Sequence, residues 1–129
     1  MERHCKQCAY VGHIDTFPLA GRRKDGTPYR RRVCKKCYHV RRTSVRKRNR
    51  MWLLKYKSSL ACSCCGYSKK THPKTFVVQA LQFHHPDDNK TFAISDGSTR
   101  GVALKTLRKE IEKCVILCAR CHTEEHFKP

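Results

Sequence analysis

Acidic side chains are scarce in this sequence: Asp and Glu number 10 against 29 Lys and Arg, a formal net charge of +19. A field of that size repels itself in a compact chain and favours a polyanionic partner. Nucleic acid is the expected one. Long hydrophobic runs are missing too. None is long enough to cross a bilayer, and no long apolar face accompanies the charge, which argues against an anionic membrane surface as partner. The opening Met1-Glu2-Arg3-His4-Cys5 has no apolar leader core, so a reducing cytoplasmic setting is expected. Aromatic residues make up 9% and hydrophobic residues 39% of the chain. Its 129 residues would ordinarily suggest one domain, but the cysteine spacing argues for two small modules. Each would bury too little apolar surface to stand without a staple.

Cysteine supplies the staple. Eight of the ten cysteines fall into four Cys-x-x-Cys pairs: Cys5/Cys8, Cys34/Cys37, Cys62/Cys65 and Cys118/Cys121. This repeated knuckle is the zinc-ligand pattern, and it outweighs a disulfide framework, which usually accompanies a secreted chain. Two structural Zn²⁺ ions are therefore expected. Cys64 and Cys114 remain as buried structural thiols.

Residues 1–37 read as a zinc ribbon. Phe17-Pro18-Leu19 offers a little apolar packing, and the Asp25-Gly26 turn dipeptide predicts a hairpin returning through Tyr29 to Val33. Four thiolates close a tetrahedral site, so this zinc is expected to be structural. With apparent binding energies of about 10–16 kcal/mol for such sites, the module should not fold without metal. His4, His13 and His39 are surplus to the ligand count and read as surface residues.

Residues 38–60 lack Gly and Pro and predict a helix. Val45, Trp52 and Tyr56 form a narrow apolar stripe, and Arg41, Arg42, Arg46, Lys47, Arg48 and Arg50 crowd the other faces. Like charges at i, i+4 cost stability unless something neutralises them, and DNA phosphates would do so. With Arg30, Arg31 and Arg32 this is the densest positive region, read as both connector and DNA grip.

Residues 61–129 form the second module. Gly66 directly after Cys65 permits a tight turn. The stretch from Phe76 to Phe83 has the β-branched and aromatic content of a strand. Ser98 or Thr99 could cap a helix carrying Leu104, Leu107 and Ile111, and Val115-Ile116-Leu117 reads as a short strand. Two histidines, His84 and His85, end the first strand. His122 and His126, four apart, share a helix face directly after Cys121. Four imidazoles could converge on one small site. Hydrolysing a phosphodiester needs a base that works near neutral pH and a cation facing the phosphate, so the combination points to metal-dependent cleavage of nucleic acid.

From about Ala61 to Phe127 the chain resembles the HNH endonucleases, the ββα-metal nucleases, particularly the small phage and homing-endonuclease type with a four-cysteine zinc site. The resemblance rests on Cys62-x-x-Cys65, Phe83-His84-His85, the run Glu110-Ile111-Glu112-Lys113-Cys114-Val115-Ile116-Leu117-Cys118, and Cys121-His122. It implies an α+β fold, a general base at His85, and a divalent ion held by His84 and His122. His126 would be a third ligand or a phosphate contact. Mg²⁺ or Mn²⁺ is the implied ion, with Ni²⁺ and Zn²⁺ also suited to an imidazole-rich site. Double-stranded DNA is the implied substrate, and a phage-borne enzyme would act in the host cytoplasm. The middle residue of the family's motif is usually Asn and steadies the loop carrying the base. Here that place falls on Lys113, with Asn89 in the loop as a substitute. The N-terminal ribbon and helix look like added DNA-binding elements.

Two other readings compete. His122-Thr123-Glu124-Glu125-His126 matches an inverted zinc-protease pattern, but a further carboxylate ligand is wanted and none follows before Pro129. A non-catalytic zinc-dependent DNA- or RNA-binding protein explains the charge and the cysteines, yet leaves the histidines without a task.

Overall fold

The structure, a computed structural model, describes residues 1–129. It is a small mixed α+β chain of four helices and three two-stranded sheets. It divides into two compact units, Met1–Val45 and Arg46–Pro129. The division falls inside the helix predicted between the modules.

In the first unit, β1 (Glu2–His4) pairs antiparallel with β2 (Val11–His13), and β3 (Leu19–Arg22) with β4 (Pro28–Arg30). The β3–β4 hairpin turns at Asp25-Gly26. Asp25 Oδ1 accepts the Thr27 N–H at 2.9 Å, and Gly26 takes φ +87°, which a Cβ would resist. The buried core is Phe17 with Cys5 and Cys34, edged by Val33 and Cys37. One aromatic ring and a few sulfurs are too little to hold a chain this short without a cross-link.

α1 (Lys35–Ser58) starts three residues before the predicted helix and ends two before its predicted end. Its N-terminal turn thereby takes in Cys37. Its buried positions are Asn49 and Leu53. Asn49 shares the face expected from Val45, Trp52 and Tyr56, but it is polar and fully buried. Burial is tolerated because its Nδ2 donates to Ser98 O, in the last turn of the next helix, at 3.5 Å and to Val102 O, just beyond that helix, at 3.0 Å.

In the second unit, β5 (Leu81–His84) pairs antiparallel with β6 (Val115–Cys118), setting Leu81 opposite Cys118 and His84 opposite Val115. Between them run α2 (Ile94–Arg100) and α3 (Leu104–Ile111), and α4 (Ala119–His126) follows β6 directly. The predicted strand from Phe76 is shorter than its composition suggested, because Val78–Ala80 coil into a 3-10 turn and only Leu81 onward pairs. Ser98 and Thr99 lie inside α2 instead of capping α3, whose N-cap is Ala103 without a side-chain bond.

Two apolar clusters hold this unit. Leu81 and Leu117 pack on Cys62, Cys118 and Cys121, while Leu53, Ile94, Leu107 and Ile111 form the other, with Phe83 against it. Because Leu81 and Phe83 face these clusters, the alternation of a strand turns Gln82 and His84 to the opposite side. No helix is long and apolar enough to cross a membrane.

Candidate functional site

Each unit gathers four cysteines: Cys5, Cys8, Cys34 and Cys37 in one, Cys62, Cys65, Cys118 and Cys121 in the other. Within each set the sulfurs all lie within 4.8 Å of one another. Ligands about 2.3 Å from a tetrahedral zinc stand about 3.8 Å apart. Cys8 Sγ and Cys34 Sγ are 3.7 Å apart, as are Cys65 Sγ and Cys118 Sγ. No disulfide forms, and both groups could hold zinc. Burial opposes charge on Cys5 and on Cys62, but backbone N–H groups directed at the sulfurs outweigh it and bring both thiols to about 6. The neighbouring thiols push Cys37 up to about 12, and burial with the neighbouring thiols pushes Cys121 up. One thiol of each group thus gives up its proton readily, whereas Cys37 and Cys121 need the metal's charge to do so. Both knuckles contribute to the lowering at Cys5: Gln7 N–H donates to Cys5 Sγ from the same knuckle at 3.4 Å, and Cys34 N–H donates to it from the facing one at 3.2 Å. Gly66, at φ +79°, turns the chain after Cys65. Cys64, expected to be buried, is exposed, and Cys114 is half-buried.

Three of the four imidazoles meet. Ring centroids are 5.0 Å apart for His84 and His122, 5.3 Å for His84 and His126, and 4.7 Å for His122 and His126. One nitrogen from each ring lies within 4.8 Å of the others. Two elements do the placing: β5 ends at His84, and Cys118 caps the N-terminus of α4, its sulfur accepting the Cys121 N–H at 3.4 Å. The cap sets His122 and His126 one turn apart on one face. Two nitrogens bound to one ion at about 2.0–2.1 Å stand about 3.0–3.4 Å apart, and the Nε2 atoms of His122 and His126 are 3.0 Å apart.

Gln82 completes this group. Its Oε1 lies 2.6 Å from His122 Nδ1, so that nitrogen donates and Nε2 is left with its lone pair. Metal-binding histidines are characteristically held this way. Burial, with His126 and His84 alongside, keeps His122 below the usual imidazole range, which favours the neutral form that binds metal.

His85 stands apart from the other three. Its side chain is 9% exposed, and its Nε2 donates to Glu110 Oε1 at 2.9 Å. The same oxygen accepts the Thr91 N–H at 2.8 Å, and Glu110 Oε2 pairs with Lys113 Nζ at 2.9 Å. Lys113 also donates to Asn89 O and to Thr91 Oγ1, both at 2.9 Å. Burial pushes the Glu110 carboxyl up, but Lys113, the Thr91 N–H and His85 outweigh it and hold the group at about 2, against an ordinary 4.5. Lys113 and Asn89 thus meet through the Asn89 carbonyl, and it is Glu110 that touches His85. Cys114 Sγ is 3.4 Å from the same His85 nitrogen. Burial, and then the Glu110 charge, push this thiol up to about 11, so it is no nucleophile near neutral pH.

A cleft of about 760 Å³ is lined by His84, His122 and His126 and also by His85, with Asp88 and Lys57 on its wall. Lys57 donates to Leu81 O at 3.0 Å, and burial holds its ammonium below the usual lysine range. Glu125 is outside the histidine group, with its carboxylate 2.6 Å from Lys128 Nζ.

The predicted DNA-contacting cations differ in accessibility. Arg32, Arg41, Arg42, Lys47, Arg48 and Arg50 are exposed, whereas Arg30, Arg31 and Arg46 are half-buried. Arg30 donates to Phe17 O at 3.3 Å, and Arg31 lies 4.4 Å over the Tyr38 ring. His4, His13 and His39 are exposed.

Glu110 and Gln82 are the residues that sequence reading missed. Gln82 could have been found at i−2 from His84, on one strand face. Glu110 could have been found at i+3 from Leu107, on the inward face of α3.

Comparison with models of known protein families, with curated proteins and with solved structures finds no match.

Proposed function

We propose that this chain is a DNA endonuclease of the HNH, or ββα-metal, kind, resembling the small phage and homing enzymes with a four-cysteine zinc site. It would hydrolyse phosphodiester bonds with a histidine-activated water and one divalent ion. In this reading residues 1–37 are a zinc ribbon, 38–60 a basic connecting helix and 61–129 the nuclease domain. The observation that carries it is one cleft lined by a three-imidazole cluster and by a separately bonded fourth imidazole. The order β5, β6, α4 around a group of four cysteines supports it.

His84, His122 and His126 would hold the divalent ion, with Gln82 fixing the tautomer of His122. When bound, the ion supplies positive charge to stabilise the phosphate and the leaving 3′-oxygen. His85 is the base. With Nε2–H committed to Glu110, its Nδ1 is the nitrogen left to take a proton from water in the cleft. Lys57 sets a positive charge on the cleft wall for the DNA backbone. The exposed cations Arg32, Arg41, Arg42, Lys47, Arg48 and Arg50 grip phosphates without reading sequence, so binding weakens steeply with salt.

Three imidazoles without a carboxylate suit Mn²⁺, Ni²⁺ or Zn²⁺ better than Mg²⁺. The test is supercoiled plasmid incubated with zinc-loaded protein across a series of these ions. Nicked or linear product is expected at lower concentrations of Mn²⁺ or Ni²⁺ than of Mg²⁺. DNA binding without cleavage at every ion would leave a non-catalytic zinc-dependent nucleic-acid binder.

A further inference from the structure

We infer that Glu110 is the positioning residue of this site: it locks the His85 ring in one tautomer and pins the following loop, so that Nδ1 of His85 faces the cleft as the proton acceptor. This rests on the reading of His85 as the base.

Glu110 is 3% exposed at the end of α3, between Leu107 and Ile111 of the apolar core. A carboxylate there is costly unless its oxygens are used, and both are. Oxygen Oε2 is taken by Lys113, and Oε1 is shared between the Thr91 N–H and the His85 ring. Lys113 reaches back to Asn89 O and Thr91 Oγ1, so one helix end ties down the chain that leads away from the base. Thr91 and Lys113 would by themselves satisfy a carboxylate whose only task was to hold the loop. The bond to Nε2 does something more. It makes that nitrogen the donor and leaves Nδ1 as the acceptor, because a neutral imidazole has one of each. The thiol of Cys114, protonated near neutral pH, does not displace the carboxylate from this nitrogen. Glu110 touches neither DNA nor water in this scheme and acts through His85 alone.

The experiment compares wild type, Glu110→Gln, His85→Ala and the double variant, all zinc-loaded. Ring ¹⁵N spectra of the DNA-free protein should show His85 protonated at Nε2 and bare at Nδ1 in wild type, and a mixture of tautomers in Glu110→Gln. Single-turnover cleavage at saturating DNA should fall on the order of 10–100-fold in Glu110→Gln, as for an outer partner of a functional histidine, with DNA affinity and zinc content unchanged. Added to His85→Ala, the same change should cost nothing further, since the two act as one unit. An equal loss in both backgrounds, or a His85 tautomer indifferent to Glu110→Gln, would overturn the inference. Wild type that fixes the tautomer yet cuts no DNA would overturn the endonuclease reading and leave the Glu110–His85 clamp standing.

Discussion

The side-chain oxygen of Gln82 meets Nδ1 of His122 at 2.6 Å across the short gap between β5 and α4. The contact leaves Nε2 of His122 as the free nitrogen, on the side where His126 lies. A hydrogen bond of this type holds a ring in its binding orientation before any ion arrives.

Gln82→Leu should therefore weaken divalent-ion binding at the histidine cluster by about 10–100-fold. Calorimetric titration of Mn²⁺ or Ni²⁺ into zinc-loaded protein measures it. Zinc content should stay at wild-type level, because Gln82 is exposed and belongs to neither cysteine group. An unchanged affinity would remove Gln82 from the site.

Zinc should be structural in both units. Phe17 is the only large side chain fully buried in Met1–Val45, so the cysteines must supply the cross-link there. Stripping the metal with a strong chelator should release two zinc ions per chain and abolish the far-ultraviolet circular dichroism of both units. Release of two ions with the spectrum retained would show that the apolar clusters suffice.

The parts legible in the sequence were those whose signal is local. Cys-x-x-Cys spacing marked both four-cysteine groups, and absence of Gly and Pro marked α1. The β-branched run before Cys118 marked β6. Composition failed at Phe76–Ala80, where strand-forming residues coil before the pairing edge begins at Leu81. At the site, spacing drew His122 and His126 together and led to the idea of four converging imidazoles, but His85 turned to Glu110. That pairing joins residues 25 apart in sequence. In the linear text Glu110 reads as one more surface charge beside Glu112 and Lys113, and only the register of α3 on Leu107 turns it inward. Asn49 was hidden likewise, by being polar within an apolar stripe.

Acid should act on the Glu110 clamp in a defined window. Its folded pKa of about 2 lies below the ordinary 4.5, so its contribution to stability is fully present above about 4.5 and is lost as pH falls towards 2. Urea midpoints of wild type and Glu110→Gln, followed from pH 8 to pH 2.5, should differ by a constant amount down to about pH 5 and draw together from there towards pH 2. A gap that closes between pH 8 and pH 6 would contradict the low carboxyl value.

The central claim is that His85 supplies the base while His84, His122 and His126 hold the ion. Single-turnover cleavage of labelled duplex by His85→Ala, with DNA affinity and ion affinity measured on the same preparation, tests it most directly. The expected result is cleavage lowered by about 10²–10⁴-fold, as for loss of a general base, with both affinities at the wild-type level. Undiminished cleavage, or loss of ion binding in step with cleavage, would contradict it.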